Sequence, residues 1–417
     1  MSLDFDPYSN EWKLDPYPAY RKLRVEAPVH LSPETHTWCI SRHQDVETVL
    51  MTPEVFSSRV ASASRQAEIA AMGPLEKARM AVRLLLDMHV TPWEASRARV
   101  LIGEDGAVHH AMRTIANRGF TPRRVRIWEE RIDGLVAEYL EGTKRMGCFD
   151  LIRELAVPLP VTVIAEMLGV QPEHMDRFKQ WSDAIVRLVG GPSMGADLFS
   201  SKSLIEMRKY MMPIVKARRA NQEDDLISTL LMAEPGDEPL SDFELLLFFV
   251  LLLVAGNETT RHTISHGLIF LNNHPDQLEE WHANPAGISE VATEEILRAS
   301  SVTMHFRRTA TIETSIRGIP IAAGDRVVMW YTSANYDEDA FVAPFDFDLK
   351  RKPNNHVTFG TGRHVCLGAA LARLEVRVVF EELLSRISGF ELTGPPDRLR
   401  SNFISGIKHL PVRVALA

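Results

Sequence analysis

Phe359-Gly-Thr-Gly-Arg-His-Val-Cys-Leu-Gly368 is a loop with one cysteine, placed directly before a run of apolar residues at helical spacing, and the rest of the chain is best read outward from it. A helix N-terminus offers backbone N–H groups without intrahelical partners and the positive end of the helix dipole, and both favour a thiolate over a thiol. Gly362 permits a tight turn, and Gly368 leaves the backbone bare for the close approach of a flat group. Phe359 can shield the sulfur, and His364 can reach an anion beside it. A cysteine standing alone is most often a small buried hydrophobe. Five specified positions at fixed spacing, F-x-x-G-x-H-x-C-x-G, set Cys366 apart from that rule.

Upstream, residues 245–255 (LLLFFVLLLVA) are continuously apolar, preceded by Glu244 and followed by Asn257 and Glu258. The run is too short to span hydrocarbon, which takes about 20 residues. It predicts a helix apolar on every side, buried through the middle of a large core. This helix leads into Ala255-Gly-Asn-Glu-Thr-Thr260, where Gly256 lowers helix stability and bulk and a threonine hydroxyl bonded to a carbonyl four residues back would open the ladder. Glu258, His262 and His266 fall at i, i+4 and i+8, a spacing able to hold a metal. With no H-E-x-x-H arrangement, they read instead as a partly exposed polar face.

At about 150 residues per domain, 417 residues suggest two or three domains. There is no Gly/Ser-rich linker, low-complexity block or repeat, so the expectation becomes one domain over 1–417, with a lid or substrate loop at about 57–105. The balance of 47 Lys+Arg against 55 Asp+Glu, net −8, disfavours a nucleic-acid binder, and 45% hydrophobic residues disfavour disorder. Three cysteines, Cys39, Cys148 and Cys366, give no disulfide framework and fit a reducing setting. Cys39 and Cys148 are expected to be inert packing residues. The polar N-terminus shows neither leader nor anchor, so a cytoplasmic chain with no membrane association is expected. Periodicity predicts strands at 29–31 and 37–41, and helices at 42–50, 75–88, 109–118, 125–145, 159–168, 173–188, 203–221, 225–232, 241–273, 288–299 and 369–387. Hairpins over 306–333 and strands from 390 complete a mainly α chain with a minor β part at both ends.

Taken in order, these motifs resemble the cytochrome P-450 family of haem-thiolate monooxygenases. The resemblance implies that family's fold, a central buried helix over haem with the cysteine loop below. It implies haem b (iron protoporphyrin IX) ligated by Cys366, with Ala255, Gly256, Phe359 and Gly368 beside it. His109, Arg113, Arg308 and His364 match the family cations that grip the haem carboxylates. Ala255-Gly-Asn-Glu-Thr-Thr260 is similar to the signature A/G-G-x-D/E-T-T, which makes Glu258 and Thr259 the acid and alcohol of proton delivery. Glu295 and Arg298 match the structural E-x-x-R pair. Leu251, Val254, Ala255, Thr303, Met304, Phe403 and Ile404 fall where the family contacts substrate; nearly all are apolar, so a hydrophobic terpenoid, steroid or fatty-chain substrate is implied.

Two departures stand out: Asp105-Gly-Ala-Val-His109 replaces D-P-P-E-H, and Tyr336 replaces the arginine of A-N-R-D. The implied partners are O2 and a separate ferredoxin with its NAD(P)H-dependent ferredoxin reductase, acting on a monomer. Arg118, Arg123, Arg124, Arg126, Arg363, Arg373 and Arg377 are the expected docking patch. Two other readings, a haem-thiolate peroxygenase or isomerase and a non-catalytic haem sensor, are disfavoured. The first tends to lose the acid and alcohol retained here, and the second needs an output domain.

Overall fold

The structure, a computed structural model, describes residues 9, 12–59, 73–143, 148–189, 201–232 and 239–416. The expectation drawn from the first residues, and the part of the 57–105 expectation that falls on residues 60–72, lie outside the described residues. The chain forms two compact units, one of Met1–Ser57, Pro122–Leu159 and Thr259–Ala417, the other of Ser58–Thr121 and Pro160–Glu258.

The described strands are β1 (Val29–Ser32), β2 (Thr37–Ile40), β3 (Phe56–Ser57), β4 (Cys148–Asp150), β5 (His305–Ala310), β6 (Thr314–Ile316), β7 (Ile319–Ile321), β8 (Arg326–Trp330), β9 (Ile387–Leu392), β10 (Asp397–Arg398), β11 (Ile407–His409) and β12 (Pro411–Leu416). All belong to the first unit, whose main sheet has the order β1-β2-β8-β5-β3. Strand alternation sends Ile40, Val327 and Met329 to one face, in a cluster with Val46, Val49 and Leu50 of the helix His43–Met51. It sends Cys39, Val328 and Trp330 to the other, with Tyr20 and Leu23 of the helix Tyr17–Glu26. Cys39 is thus a core residue as expected, whereas Cys148, on the edge strand β4, is exposed and does not pack in the core. The β6–β7 hairpin turns on Arg317 (φ 53°) and Gly318 (φ 76°), the left-handed pair a two-residue hairpin loop requires.

The apolar run proves to be part of a helix spanning Asp242–Asn273. It is buried over residues 243–250 and again over 262–269, as a core helix should be, although by length and composition alone it would suffice to cross a membrane. The helix Ala369–Arg386 after the cysteine loop packs on the helices Pro122–Ile127, Glu129–Thr143 and Pro285–Ser300. Gly267 lets it approach the central helix, since a Cβ there would lie 2.4 Å from the Phe380 ring.

Several boundaries differ from expectation. The helix expected at 125–145 is broken at Trp128, whose N–H bonds the Val125 carbonyl three residues back. The helix Pro275–Ala283 was not anticipated, although proline at its first position is a helix-start signal.

In the described residues the second unit is helical. The helix Met175–Val189 packs on Lys202–Ala220, and Leu226–Leu231 packs on Gly106–Gly119. The segment 57–105, expected as a loop with one helix at 75–88, has that helix and a second. It contains the helices Pro74–Leu86 and Pro92–Arg97, the second opened by a reciprocal Thr91–Glu94 capping box. Arg99 then clamps Glu244 at 2.6 and 3.0 Å, while Ser241 and Glu244 cap the start of the central helix. Burial works against ionisation of Glu244, but the bonds from Arg99 and Ser241 outweigh it and hold the carboxyl below its ordinary pKa.

Candidate functional site

In the first unit, Phe359, His364, Cys366 and Gly368 share one loop. The Cys366 N–H closes it by donating to the Phe359 carbonyl at 2.9 Å, and Gly360 (φ 64°) and Gly362 (φ 71°) supply two left-handed turns. Cys366 is exposed, at the threshold of the helix Ala369–Arg386. A Cβ at Gly368 would meet nothing within 4 Å, whereas one at Gly362 would sit 2.9 Å from the Leu50 carbonyl oxygen. The two glycines therefore do different work. Gly362→Ala is expected to cost about 2–4 kcal/mol, from left-handed strain plus a backbone collision. Gly368→Ala should leave stability within about 0.5 kcal/mol. Denaturant midpoints of the two variants check this, and equal losses would refute it.

Behind the loop, Glu295 and Arg298 are fully buried and joined at 2.7 and 2.8 Å. Arg351 and Asn354 add bonds to Glu295 at 3.0 and 3.1 Å, and Arg298 continues to the carbonyls of Asn335 and Pro344, both at 2.9 Å. The Asn335 side chain then holds the Val357 N–H and the Thr358 hydroxyl, next to Phe359. The E-x-x-R pair is thus the hub from which residues 335–358 are hung. Tyr336, the departure from A-N-R-D, belongs to the same hub: its hydroxyl donates to the Ala299 carbonyl at 2.8 Å and its ring lies 5.2 Å from the Arg298 guanidinium. A second layer consists of Arg373, which stands 4.6 Å over the Phe359 ring and pairs with Glu294 at 2.6 and 2.9 Å. Burial would raise the Glu294 pKa, but hydrogen bonds from His356 and Arg373 outweigh it and bring it down to about 2.

The central helix is accessible where its neighbours in sequence are not. Leu251, Val254, Gly256, Glu258 and Thr259 are half-buried and Ala255 is exposed, between the two buried stretches. The four residues of the Asn-Glu-Thr-Thr set divide in two. Asn257 and Thr260 are buried, Asn257 reaching Ser182 at 3.5 Å within the second unit. Thr260 donates to Glu375 at 3.3 Å within the first. Glu258 and Thr259 are half-buried, with one carboxylate oxygen of Glu258 shut off from solvent. A Cβ at Gly256 would lie 2.5 Å from Ile164 Cδ1, so its small size also serves packing of the helix Pro158–Met167. Glu375 had no signal of its own in the sequence. It is buried, burial pushes its pKa up to about 8, and the Thr260 bond offsets only part of that.

His262 and His266, read as a partly exposed polar face, are 1% and 4% exposed. Their polar atoms face the backbone of residues 405–407, and among the described residues no group of side chains is arranged to hold a metal ion.

The implied haem can be tested against these residues. The fit is good: an accessible thiol follows a glycine-shaped loop, and a glycine backbone lies open beside it. Of the four residues expected to hold the haem carboxylates, Arg308 on β5, opposite Val327, and His364 fall in the first unit. His109, which is buried, and Arg113, whose Nε donates to Asn117 at 2.9 Å, stand one turn apart in the second unit on the helix Gly106–Gly119. That helix starts on Gly106 at φ 58°, a conformation closed to the proline usual there. Asp105 just before it accepts the Ser58 N–H at 3.0 and 3.1 Å. Of the expected substrate contacts in the first unit, Thr303 and Ile404 form an isolated β-bridge and Phe403 is 41% exposed. Met304 is a correction: at 3% exposure it packs with Tyr20 and Trp330 in the sheet core, because strand alternation turns it away from Thr303.

Comparison with known proteins gives the following. The model of the family described as Cytochrome P-450 matches residues 91–285 and 290–413. The chain is 36% identical to the methyl-branched lipid omega-hydroxylase of Mycobacterium tuberculosis, over 99% of this chain and 93% of that protein. It is 34% identical to the linalool 8-monooxygenase of Pseudomonas putida, over 95% of each. The crystal structure of CYP109E1 from Bacillus megaterium in complex with corticosterone superposes with a TM-score of 0.82 at 30% identity, covering 97% of this chain and 99% of that one.

Proposed function

The chain belongs to the cytochrome P-450 family of haem-using monooxygenases, and from that premise we propose that it holds one haem b through Cys366 and hydroxylates a hydrophobic small molecule of terpenoid, steroid or fatty-chain type. The observation that carries the reading is the accessible Cys366 thiol in a loop closed by its own amide and braced by a buried ion-pair hub. When bound, thiolate-ligated haem supplies the O2 activation that inserts one oxygen atom into substrate.

The chain's own residues do the rest. Arg308, His364, His109 and Arg113 would hold the two haem carboxylates with charge-assisted bonds. Phe359, backed by Arg373, shields the sulfur, Gly368 leaves its backbone open to a flat ring, and Gly256 and Ala255 border that ring on the central helix. Glu258 and Thr259, half-buried on the central helix, pass protons inward. Leu251, Val254, Ala255, Thr303, Phe403 and Ile404 bind substrate by shape. The printed activities of the two relatives, on a methyl-branched lipid and on linalool, and the corticosterone held by CYP109E1 support the substrate class.

Electrons come from a separate ferredoxin and its NAD(P)H-dependent reductase, in the cytoplasm, to a monomer acting as one haem domain. The docking patch is smaller than the sequence suggested. Arg373 and Arg377 are paired with Glu294 and with Glu129 and Glu381, and Arg118 bonds the Met232 carbonyl. Arg123, Arg126 and Arg363 are exposed and, among the described residues, have no ion-pair partner, which supports them as the docking cations.

Reduction under carbon monoxide tests the assignment. The haem-loaded protein is expected to show the strongly red-shifted Soret band of thiolate ligation, and Cys366→Ser to lose it completely. A band that survives in Cys366→Ser would sink the ligand assignment.

A further inference from the structure

Within the first unit, the turn that joins β10 to β11 is held from two sides. On one side stands the central helix: the Ile407 N–H donates to His262 Nδ1 at 3.1 Å, and His266 Nε2 donates to the Ser405 carbonyl at 2.9 Å. Both rings are buried, and a Cβ added at Gly406 would come within 3.0 Å of His262 Nε2, so turn and helix are in tight contact. A neutral ring accepts at one nitrogen only, and His262 has a donor at each: the Ile407 amide at Nδ1 and Arg261 Nε, 3.3 Å from Nε2; the shorter bond, from Ile407, is the one that ties the turn. Burial lowers the pKa of His266 to about 3, so its donor pattern is constant at any working pH. On the other side, Ser405 N–H donates to the Val302 carbonyl and Met304 N–H to the Phe403 carbonyl, both at 2.8 Å. The Phe403 ring meets His305 at 5.4 Å and Phe306 at 5.9 Å.

We infer that His262 and His266 are positioning residues that set the register of Phe403 and Ile404 against the central helix, and so decide which hydrophobic substrates the site accepts and where they are oxidised. The inference rests on the reading of Phe403 and Ile404 as substrate contacts, and it identifies what holds them. The chemistry is specific. His262 offers its δ nitrogen to the Ile407 amide, and His266 donates from its ε nitrogen to the Ser405 carbonyl, with the Ser405 hydroxyl 3.2 Å from the same nitrogen. A backbone amide left without its acceptor in such a place opens more readily, by a factor of roughly 10–100.

The matched test uses side chains that copy one nitrogen each. His262→Asn keeps an acceptor near Nδ1 and His266→Gln keeps a donor near Nε2, whereas His262→Gln and His266→Asn misplace the polar atom by one bond. In the haem-loaded, substrate-free protein, amide exchange at Ile407 is expected to quicken about tenfold or more in His262→Gln and to stay within about threefold in His262→Asn. Unchanged exchange at Ile407 in His262→Gln would overturn the clamp. In spin-state titrations with testosterone and with palmitic acid, the misplaced variants are expected to bind about tenfold more weakly and to shift the distribution of hydroxylated products, while the matched variants restore both. Faster exchange with unchanged dissociation constants and products would leave a structural tie only and overturn the specificity role. If the unsubstituted protein gives no spin-state response to either probe, the reading of Phe403 and Ile404 fails with the specificity role, while the exchange result still decides the clamp.

Discussion

Glu295→Ala is expected to lose about 3–5 kcal/mol of stability, among the largest effects of any single substitution in this protein. The carboxylate is 0% exposed and receives Arg298 at 2.7 and 2.8 Å, Arg351 at 3.0 Å, Asn354 at 3.1 Å and the Asp348 N–H at 3.1 Å. Its removal leaves two guanidinium groups without a counter-charge, one of them wholly buried. The cost is that of stranded charge and exceeds the net worth of the ion pair itself. Glu295→Gln, which keeps an acceptor oxygen but loses the charge, should fall between the two. The adjacent Glu294 provides the control: it is partly exposed and its Arg373 partner is 41% exposed, so Glu294→Ala should cost far less. Denaturant unfolding of the three variants decides the matter. If Glu294→Ala were as damaging as Glu295→Ala, the hub described above would be misassigned.

The second large effect depends on pH. Glu375 ionises near 4.5 in the unfolded chain and near 8 in the folded one, because burial opposes the charge and, among the described residues, Thr260 alone donates to it, at one oxygen. Folding at neutral pH therefore takes up a proton. The stability assigned to this group is highest below pH 4.5, falls as pH rises toward 8, and levels off above it. At about 1.36 kcal/mol per unit, the whole loss approaches 5 kcal/mol. Gln at this position cannot ionise. The stability difference between Glu375→Gln and the unsubstituted protein should therefore shift in favour of the variant by about 3–5 kcal/mol between pH 4.5 and 8. A difference that stays flat with pH would mean the carboxyl is solvated or paired in the folded protein. His266 and His305 act at the other end. Burial brings their pKa values down to about 3 and about 4, so each costs stability as pH falls below 6.5, where the unfolded chain takes up a proton and the folded one does not.

The elements that could be read from the chain are those written in residue type and spacing. The unbroken apolar run predicted a core helix, and the glycine-cysteine pattern predicted a tight loop that sets Cys366 at the start of a helix. What escaped is tertiary. Glu375 in Ala-Arg-Leu-Glu-Val-Arg looks like any helix-surface carboxylate, and only the folded chain, which buries it and brings Thr260 of the central helix to it, shows otherwise. His262 and His266 looked like a polar face because nothing local reveals that residues 405–407, more than a hundred positions downstream, return to cover them. Thr303 and Met304 were both expected at the substrate from the resemblance, yet successive residues entering a strand point in opposite directions, and Met304 packs in the sheet core.

The hub around Glu295 also bears on how this protein can change. Arg298 and Arg351 grip the segment ahead of the cysteine loop through main-chain oxygens: those of Asn335 and Pro344 for one, of Val342, Ala343 and Asp346 for the other. An oxygen of the backbone is present whatever side chain a codon specifies. The path of the segment is therefore insulated from mutation at most of its own positions, and Val342, 89% exposed, has almost no contacts to preserve. Surface features there can drift, or be rewritten by design, while the course of the chain toward Cys366 stays fixed.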